Sequence, residues 1–161
     1  MKKLLYIFPV LMILLTVSCD SDNIFDEAEQ LEIDIALIDA YLAENNLVAE
    51  VDEDSNLRYI IHQEGDGITP NFGSSIIVEY TGTLLDGIQF DSSDGRGAFS
   101  VVIGAGDVIQ GWDIGLRKLS VGSVATFLVP SVLAYGSNRQ GLLIAPNSVL
   151  IFEIRVLDIR F

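Results

Sequence analysis

Apolar residues recur along this chain with two different periods, and the change of period divides it. From Glu27 to Glu44, Leu31, Ile35, Ile38 and Leu42 follow the i, i+4, i+7, i+11 spacing of one helix face. Ile33, Leu37 and Ala40 put further apolar residues on the opposite side. This predicts a helix stopped near Asn45-Asn46, where asparagine tolerates left-handed backbone. A helix apolar on two sides accepts two neighbours: docking on its own domain alone, or on that domain and a second copy of the chain in a homodimer, both fit the pattern.

From Leu57 the pattern shortens to β-branched and aromatic runs separated by Gly, Asn, Asp and Pro. These predict strands at Leu57–Gln63, Ser75–Leu85, Ile88–Asp91, Ala98–Ile103, Ser123–Val129 and Val149–Arg160 in a mostly antiparallel sheet. Asp86-Gly87 reads as a two-residue type I′ hairpin turn. One further helix is predicted over Val108–Leu119, with Val108, Ile109, Trp112, Leu116 and Leu119 on one stripe. Asp107 is placed to cap its start, and Arg117 and Lys118 suit its end. The expected class is α+β: a twisted antiparallel β-sheet half-barrel wrapping one short α-helix, preceded by an N-terminal α-helix.

The N-terminus reads differently. Lys2 and Lys3 precede the apolar run Leu4–Val17, then Ser18 and Cys19, the order of a secretory signal. The run is too short to span a bilayer, which needs about 20 residues. A cysteine closing such a run resembles a bacterial lipoprotein signal, although Thr16 stands where Leu is usual, and this implies lipidation of Cys19; a plain secreted protein carrying a free thiol, or an uncleaved anchor, is the other reading. The expected organisation is a signal peptide over 1–18, an acidic tether over 19–26, a helix and linker over 27–56, and a main domain over 57–161. The location that follows is the bacterial cell envelope, lipid-anchored on the outer membrane and either periplasm-facing or surface-exposed, with membrane attachment through the lipid only.

Half the residues are apolar, which excludes a disordered chain. The net charge of −14 argues against nucleic acid as a partner, since phosphates need a basic patch. One Cys and one His exclude an internal disulfide framework and a tetrahedral Cys/His zinc site, and no cofactor or metal is expected. Gly104-Ala105-Gly106 lacks the third glycine of a dinucleotide loop in register, and Asp107 would repel a pyrophosphate. Asp52–Asn56 begins like a calcium loop, but Leu57 stands at its glycine position and Gln63 at that of its bidentate glutamate. His62 lies mid-strand, and no Gly-flanked serine elbow accompanies it.

An ordered set of short motifs is more specific. Val78-Glu79-Tyr80-Thr81-Gly82, Leu85-Asp86-Gly87, Gln89-Phe90-Asp91-Ser92-Ser93, Val108-Ile109-Gln110-Gly111-Trp112, Ser120-Val121-Gly122, Pro130–Gly136 and Leu150-Ile151-Phe152-Glu153 resemble, in order and spacing, the FKBP-type peptidyl-prolyl isomerases. The likeness runs from about Leu57 to Arg160. It implies a hydrophobic pocket for a proline ring, with Trp112 at the floor and Tyr80, Phe90, Phe99 and Phe152 in the walls. Val108 and Ile109 would form the rim, where the Ile109 N–H binds a substrate carbonyl. Tyr135 would donate its hydroxyl to that carbonyl, and Asp91 would orient Tyr80 and Arg96. Leu143 and Ile144 would belong to a loop closing over the ligand. Gln140 and Ala145, in the closing loop, depart from the familiar pattern and bear on substrate and inhibitor preference, while Asp94–Ala98 is one residue shorter than the familiar form and bears on the placement of Arg96 and Phe99.

The resemblance therefore implies an enzyme that accelerates X–Pro isomerisation without covalent chemistry. Its partners would be proline-containing, unfolded or partly folded exported proteins, and its ligands would include macrolide inhibitors. A non-catalytic binding module or holdase chaperone on the same fold is the second reading.

Overall fold

A computed structural model describes residues 26–161. The signal segment, Cys19 and all of the tether except Asp26 lie outside the described residues. Helix α1 spans Glu27–Glu44, as the periodicity predicts, because both ends are chemically marked. Extended Asp26 accepts hydrogen bonds from the N–H groups of Ala28 and Glu29, and Asn46 adopts φ 53° just past the end. Seven strands follow: β1 (Glu50–Val51), β2 (Arg58–Gln63), β3 (Ser75–Leu84), β4 (Gln89–Ser92), β5 (Phe99–Val102), β6 (Val124–Val129) and β7 (Leu150–Arg160). The two-residue β1 has no signal in the sequence; the others lie within about a residue of expectation.

All pairings are antiparallel, in the order β1-β2-β6-β7-β3-β4, with β5 also on β3. Strand β3 pairs with β7 along its whole length. On its other edge β5 takes Ser75–Val78 and β4 takes Thr81–Thr83. The interruption between them, 93–98, gives that edge a gap beside Asp91.

Alternation along β7 sorts its side chains between two apolar layers. Leu150, Phe152, Ile154 and Val156 enter the main core with Val78, Phe127, Trp112 and Leu116, while Ile151 faces the other way. On that second face Ile151, Leu128 and Val149 receive Ile38 of α1. Among the described residues one side of α1 is covered, and on the other Ile33 and Leu37 are 48% and 46% exposed. Among the described residues no helix is long and apolar enough to cross a membrane.

The second helix, its cap and the hairpin turn differ from expectation. The second helix, α2, is Gln110–Gly115, continued by a 3-10 turn at Leu116–Lys118, rather than one helix over Val108–Leu119. Its N-cap is Ile109, in extended backbone, and no side chain caps it; Asp107 sits too early. The hairpin is not type I′, because Gly87 has φ 83° while Asp86 is not among the residues with positive φ. The Gly87 N–H donates to the Leu84 carbonyl, and Leu84 N–H to the Ile88 carbonyl, which makes a three-residue turn with a glycine bulge.

Candidate active site

The short helix sits close enough to the sheet to form a floor because it carries glycine where it touches. A Cβ on Gly115 would lie 2.5 Å from the Phe127 ring, and one on Gly111 would lie 2.5 Å from Val129. This approach carries Trp112, 3% exposed, beneath Tyr80 and Phe152. The rings meet edge to face, with centroids 5.0 Å apart for Tyr80–Trp112, 5.3 Å for Trp112–Phe152 and 5.6 Å for Phe90–Phe152. Phe99 closes the set at 5.8 Å from Tyr80 and 6.1 Å from Trp112. Edge-to-face contacts lock ring orientation as well as burying area. Gly82 makes room for two of the rings, since a Cβ there would fall 2.7 Å from Phe90 and 3.1 Å from Phe152.

The rings enclose a cavity of about 150 Å³, completed by Val108, Ile109, Asp91, Tyr135 and Asp107. Apolar cavities of roughly this size in proteins hold a benzene-sized ring, so a proline ring fits. Ile109 precedes the helical hydrogen bonds, and its N–H has no protein acceptor among the described residues. The Tyr135 hydroxyl has none either, which leaves two donors free at the cavity mouth. Asp107, expected as a helix cap, lines the mouth instead.

A polar cluster stiffens one wall. The Tyr80 hydroxyl donates to Asp91 Oδ2 at 2.5 Å, and Asp91 Oδ1 accepts from Arg96 and from the Ser92 N–H. Arg96 also donates through Nε to the Ser92 carbonyl at 2.8 Å, bridging the gap in the sheet edge. Burial, with the hydrogen bond to Asp91 added, pushes the Tyr80 phenol up to about 12. Burial would raise the Asp91 carboxyl, but the hydrogen bonds from Tyr80, Arg96 and Ser92 outweigh it and hold it below its ordinary value. Burial also raises Tyr135, and the Asp91 charge adds to it.

These shifts predict a pH dependence of stability. The unfolded chain releases the Tyr80 proton near pH 10, before the folded one does, so this contribution is present below about pH 10 and falls as pH rises towards 12. The Asp91 contribution is present above its unfolded value of about 3.9 and is lost as pH falls below it. In thermal melts against pH, Tyr80→Phe is expected to flatten the alkaline fall and Asp91→Asn the acid one. An unchanged alkaline slope in Tyr80→Phe would contradict the assignment.

Of the residues expected at the site, Tyr80, Phe90, Asp91, Phe99, Val108, Ile109, Trp112, Tyr135 and Phe152 meet around one cavity. Arg96 stands behind Asp91, lining a neighbouring hollow. Leu143 and Ile144 do not line the cavity. Ile144 is 7% exposed within the main core, bridged to Gln140, while Leu143 is half exposed on the loop.

Comparison with known proteins agrees with this geometry. The sequence profile of the FKBP-type peptidyl-prolyl cis-trans isomerase family matches residues 67–157. FK506-binding protein 1 of Debaryomyces hansenii is 48% identical over 102 residues, 62% of this chain and 91% of that relative. Peptidyl-prolyl cis-trans isomerase Fkbp12 of Drosophila melanogaster is 46% identical over 98 residues, 60% of this chain and 91% of its own length. Among solved structures, FkpA from Escherichia coli superposes with a TM-score of 0.69 at 29% identity, over 83% of this chain and 62% of that one, so this chain spans less than two thirds of FkpA. A peptidyl-prolyl cis-trans isomerase from Pseudomonas syringae pv. tomato gives 0.70 at 25% identity, over 84% of this chain and 97% of that one.

Proposed function

The chain belongs to the FKBP-type peptidyl-prolyl cis-trans isomerase family, and from that premise we propose that its aromatic cavity is where X–Pro bonds rotate. The observation that carries this reading is the pairing of a ring-sized, aromatic-walled cavity with two donors at its lining that lack a protein acceptor among the described residues, the Tyr135 hydroxyl and the Ile109 N–H. An amide resists rotation by about 18–20 kcal/mol because twisting it sacrifices resonance. Nothing covalent has to break. The twisted carbonyl is less polarised than the planar one, so moving it from water into aromatic walls costs the transition state less than the ground state. The proline ring would rest on Trp112 between Tyr80 and Phe152, while Tyr135 and Ile109 hold the carbonyl and the proline side rotates. The Tyr80 hydroxyl is already committed to Asp91, so Tyr80, Asp91 and Arg96 act as wall and brace rather than as donors to substrate.

Tyr135→Phe is expected to lower kcat/KM for an X–Pro peptide about two- to tenfold, the worth of one net hydrogen bond of about 0.5–1.5 kcal/mol. Its melting temperature should hardly move, because among the described residues the hydroxyl has no partner to lose. Titration with a proline peptide followed by NMR should shift the Ile109 amide and the Trp112 indole first. Shifts confined to surface amides remote from the cavity would overturn the assignment.

The Lys2–Cys19 pattern supports an exported, Cys19-lipidated enzyme whose clients are proline-containing exported proteins, and the same walls suit macrolide inhibitors. Fatty-acid incorporation that disappears in Cys19→Ser tests the anchor. The half-exposed Ile33 and Leu37 of α1 favour a second copy of the chain on that face. Sedimentation should then report a dimer that Leu37→Glu dissociates.

A further inference from the structure

The carboxylate of Asp34 takes no part in the chemistry above, yet it joins α1 to the segment that carries Tyr135. Position 34 falls within the stripe formed by Leu31, Ile35, Ile38 and Leu42, and Asp34 is 0% exposed. An apolar residue is the ordinary choice there, since a buried carboxylate loses its hydration. Asp34 is satisfied from two sides. Gln30 Nε2, one turn earlier, donates to Oδ1 at 2.8 Å, and the Ser131 N–H donates to Oδ2 at 2.6 Å.

Ser131 is itself fully buried and opens a 3-10 turn, Ser131–Leu133, that no neighbouring side chain caps. Asp34 supplies that cap from another element, 97 residues away in sequence. The Ser131 carbonyl then accepts the N–H groups of Ala134 at 2.9 Å and Gly136 at 2.8 Å, the two neighbours of Tyr135. Among the described residues no hydrogen bond holds the Tyr135 hydroxyl, so its place is set by the packing of its ring on the core and by the backbone on either side of it, of which this bracket is the N-terminal anchor.

We infer that Asp34 is a positioning residue for the isomerase reaction: by holding Ser131 it fixes the bracket around Tyr135, and so where the Tyr135 hydroxyl meets the substrate carbonyl. This rests on the role proposed for Tyr135. It makes α1, which lies outside the family match of residues 67–157, part of the working enzyme. It also accounts for an acid inside an apolar stripe.

The test is a double-mutant cycle on the full chain, read as kcat/KM for an X–Pro peptide. Asp34→Leu keeps the stripe apolar but offers Ser131 no acceptor, and it is expected to lose about three- to tenfold when Tyr135 is intact. In the Tyr135→Phe background the same substitution should cost less than about twofold, because the hydroxyl it positions is gone. Asp34→Asn keeps an acceptor for Ser131 and should stay within about twofold of the parent; it carries the test alone if Asp34→Leu does not fold. A folded Asp34→Leu with full activity, an equal loss in both backgrounds, or an Asp34→Asn as impaired as Asp34→Leu would overturn the inference. An inactive parent, or a Tyr135→Phe variant as active as the parent, would instead strike at the proposed function itself.

Discussion

Replacement of Trp112 by leucine is expected to cut kcat/KM for an X–Pro peptide by more than about tenfold, a loss of roughly 1.4 kcal/mol or more of transition-state stabilisation. Trp112 is the floor on which three walls converge, with Tyr80, Phe99 and Phe152 all edge-on to it within 6.1 Å. A leucine leaves those rings without their common partner, opens the cavity and admits water to the surface against which the amide must twist. The effect on stability should be smaller than the size change suggests. Trp→Ala in a core costs about 3–5 kcal/mol, but leucine refills part of the volume. The Trp112 indole N–H is also buried with no acceptor among the described residues, and removing such a donor returns about 1–3 kcal/mol. The expected result is a folded variant about 1–3 kcal/mol less stable and far less active. Calorimetry beside peptide kinetics separates the two effects.

The second large effect is structural. Gly115→Val is expected to destabilise the protein by about 3 kcal/mol, a sizeable part of the 5–15 kcal/mol available to a typical domain. The Cβ alone would sit 2.5 Å from the ring of Phe127, which is 0% exposed and has nowhere to retreat. Either α2 lifts from the sheet or the core around Phe127 and Leu116 rearranges. Gly115→Ala meets the same clash at the Cβ, offset by up to about 1 kcal/mol of better helix propensity, so its loss should be clearly smaller. Because α2 carries Trp112, lifting it also misplaces the floor, and activity should fall with stability in this series. Denaturant titration of the two variants would show the order; a Gly115→Val as stable as the parent would mean the helix rides farther from the sheet than described.

Much of this architecture was legible in the sequence because local signals and burial agreed. Helix α1 has matching ends, since Asp26 is a capping residue and Asn46 takes the left-handed backbone that stops it. Strand β7 alternates so regularly that its apolar face could be assigned from Leu150, Phe152, Ile154 and Val156 alone. The cavity residues were legible only through the family resemblance, because Trp112 and Phe152 on periodicity alone are indistinguishable from ordinary core. What the local pattern left unread has two causes, a partner distant in sequence for Asp34 and Ile144, and the local backbone for Asp107 and the hairpin turn. Asp34 carries no signal of its own in the sequence, because the Ser131 N–H that it accepts lies 97 residues away. Asp107 reads as a cap until Ile109 takes that place. Ile144 reads as a lid until the core claims it.

In the proposed function, isomerisation takes place on the floor of this cavity and is completed by the Tyr135 hydroxyl. The most direct measurement is catalysed cis/trans exchange in an X–Pro peptide by the parent and by a Trp112→Leu, Tyr135→Phe double variant, both checked for fold by circular dichroism. Strong acceleration by the parent that disappears in the folded double variant is the predicted result. Undiminished acceleration in that variant, or none by a well-folded parent, would contradict the account.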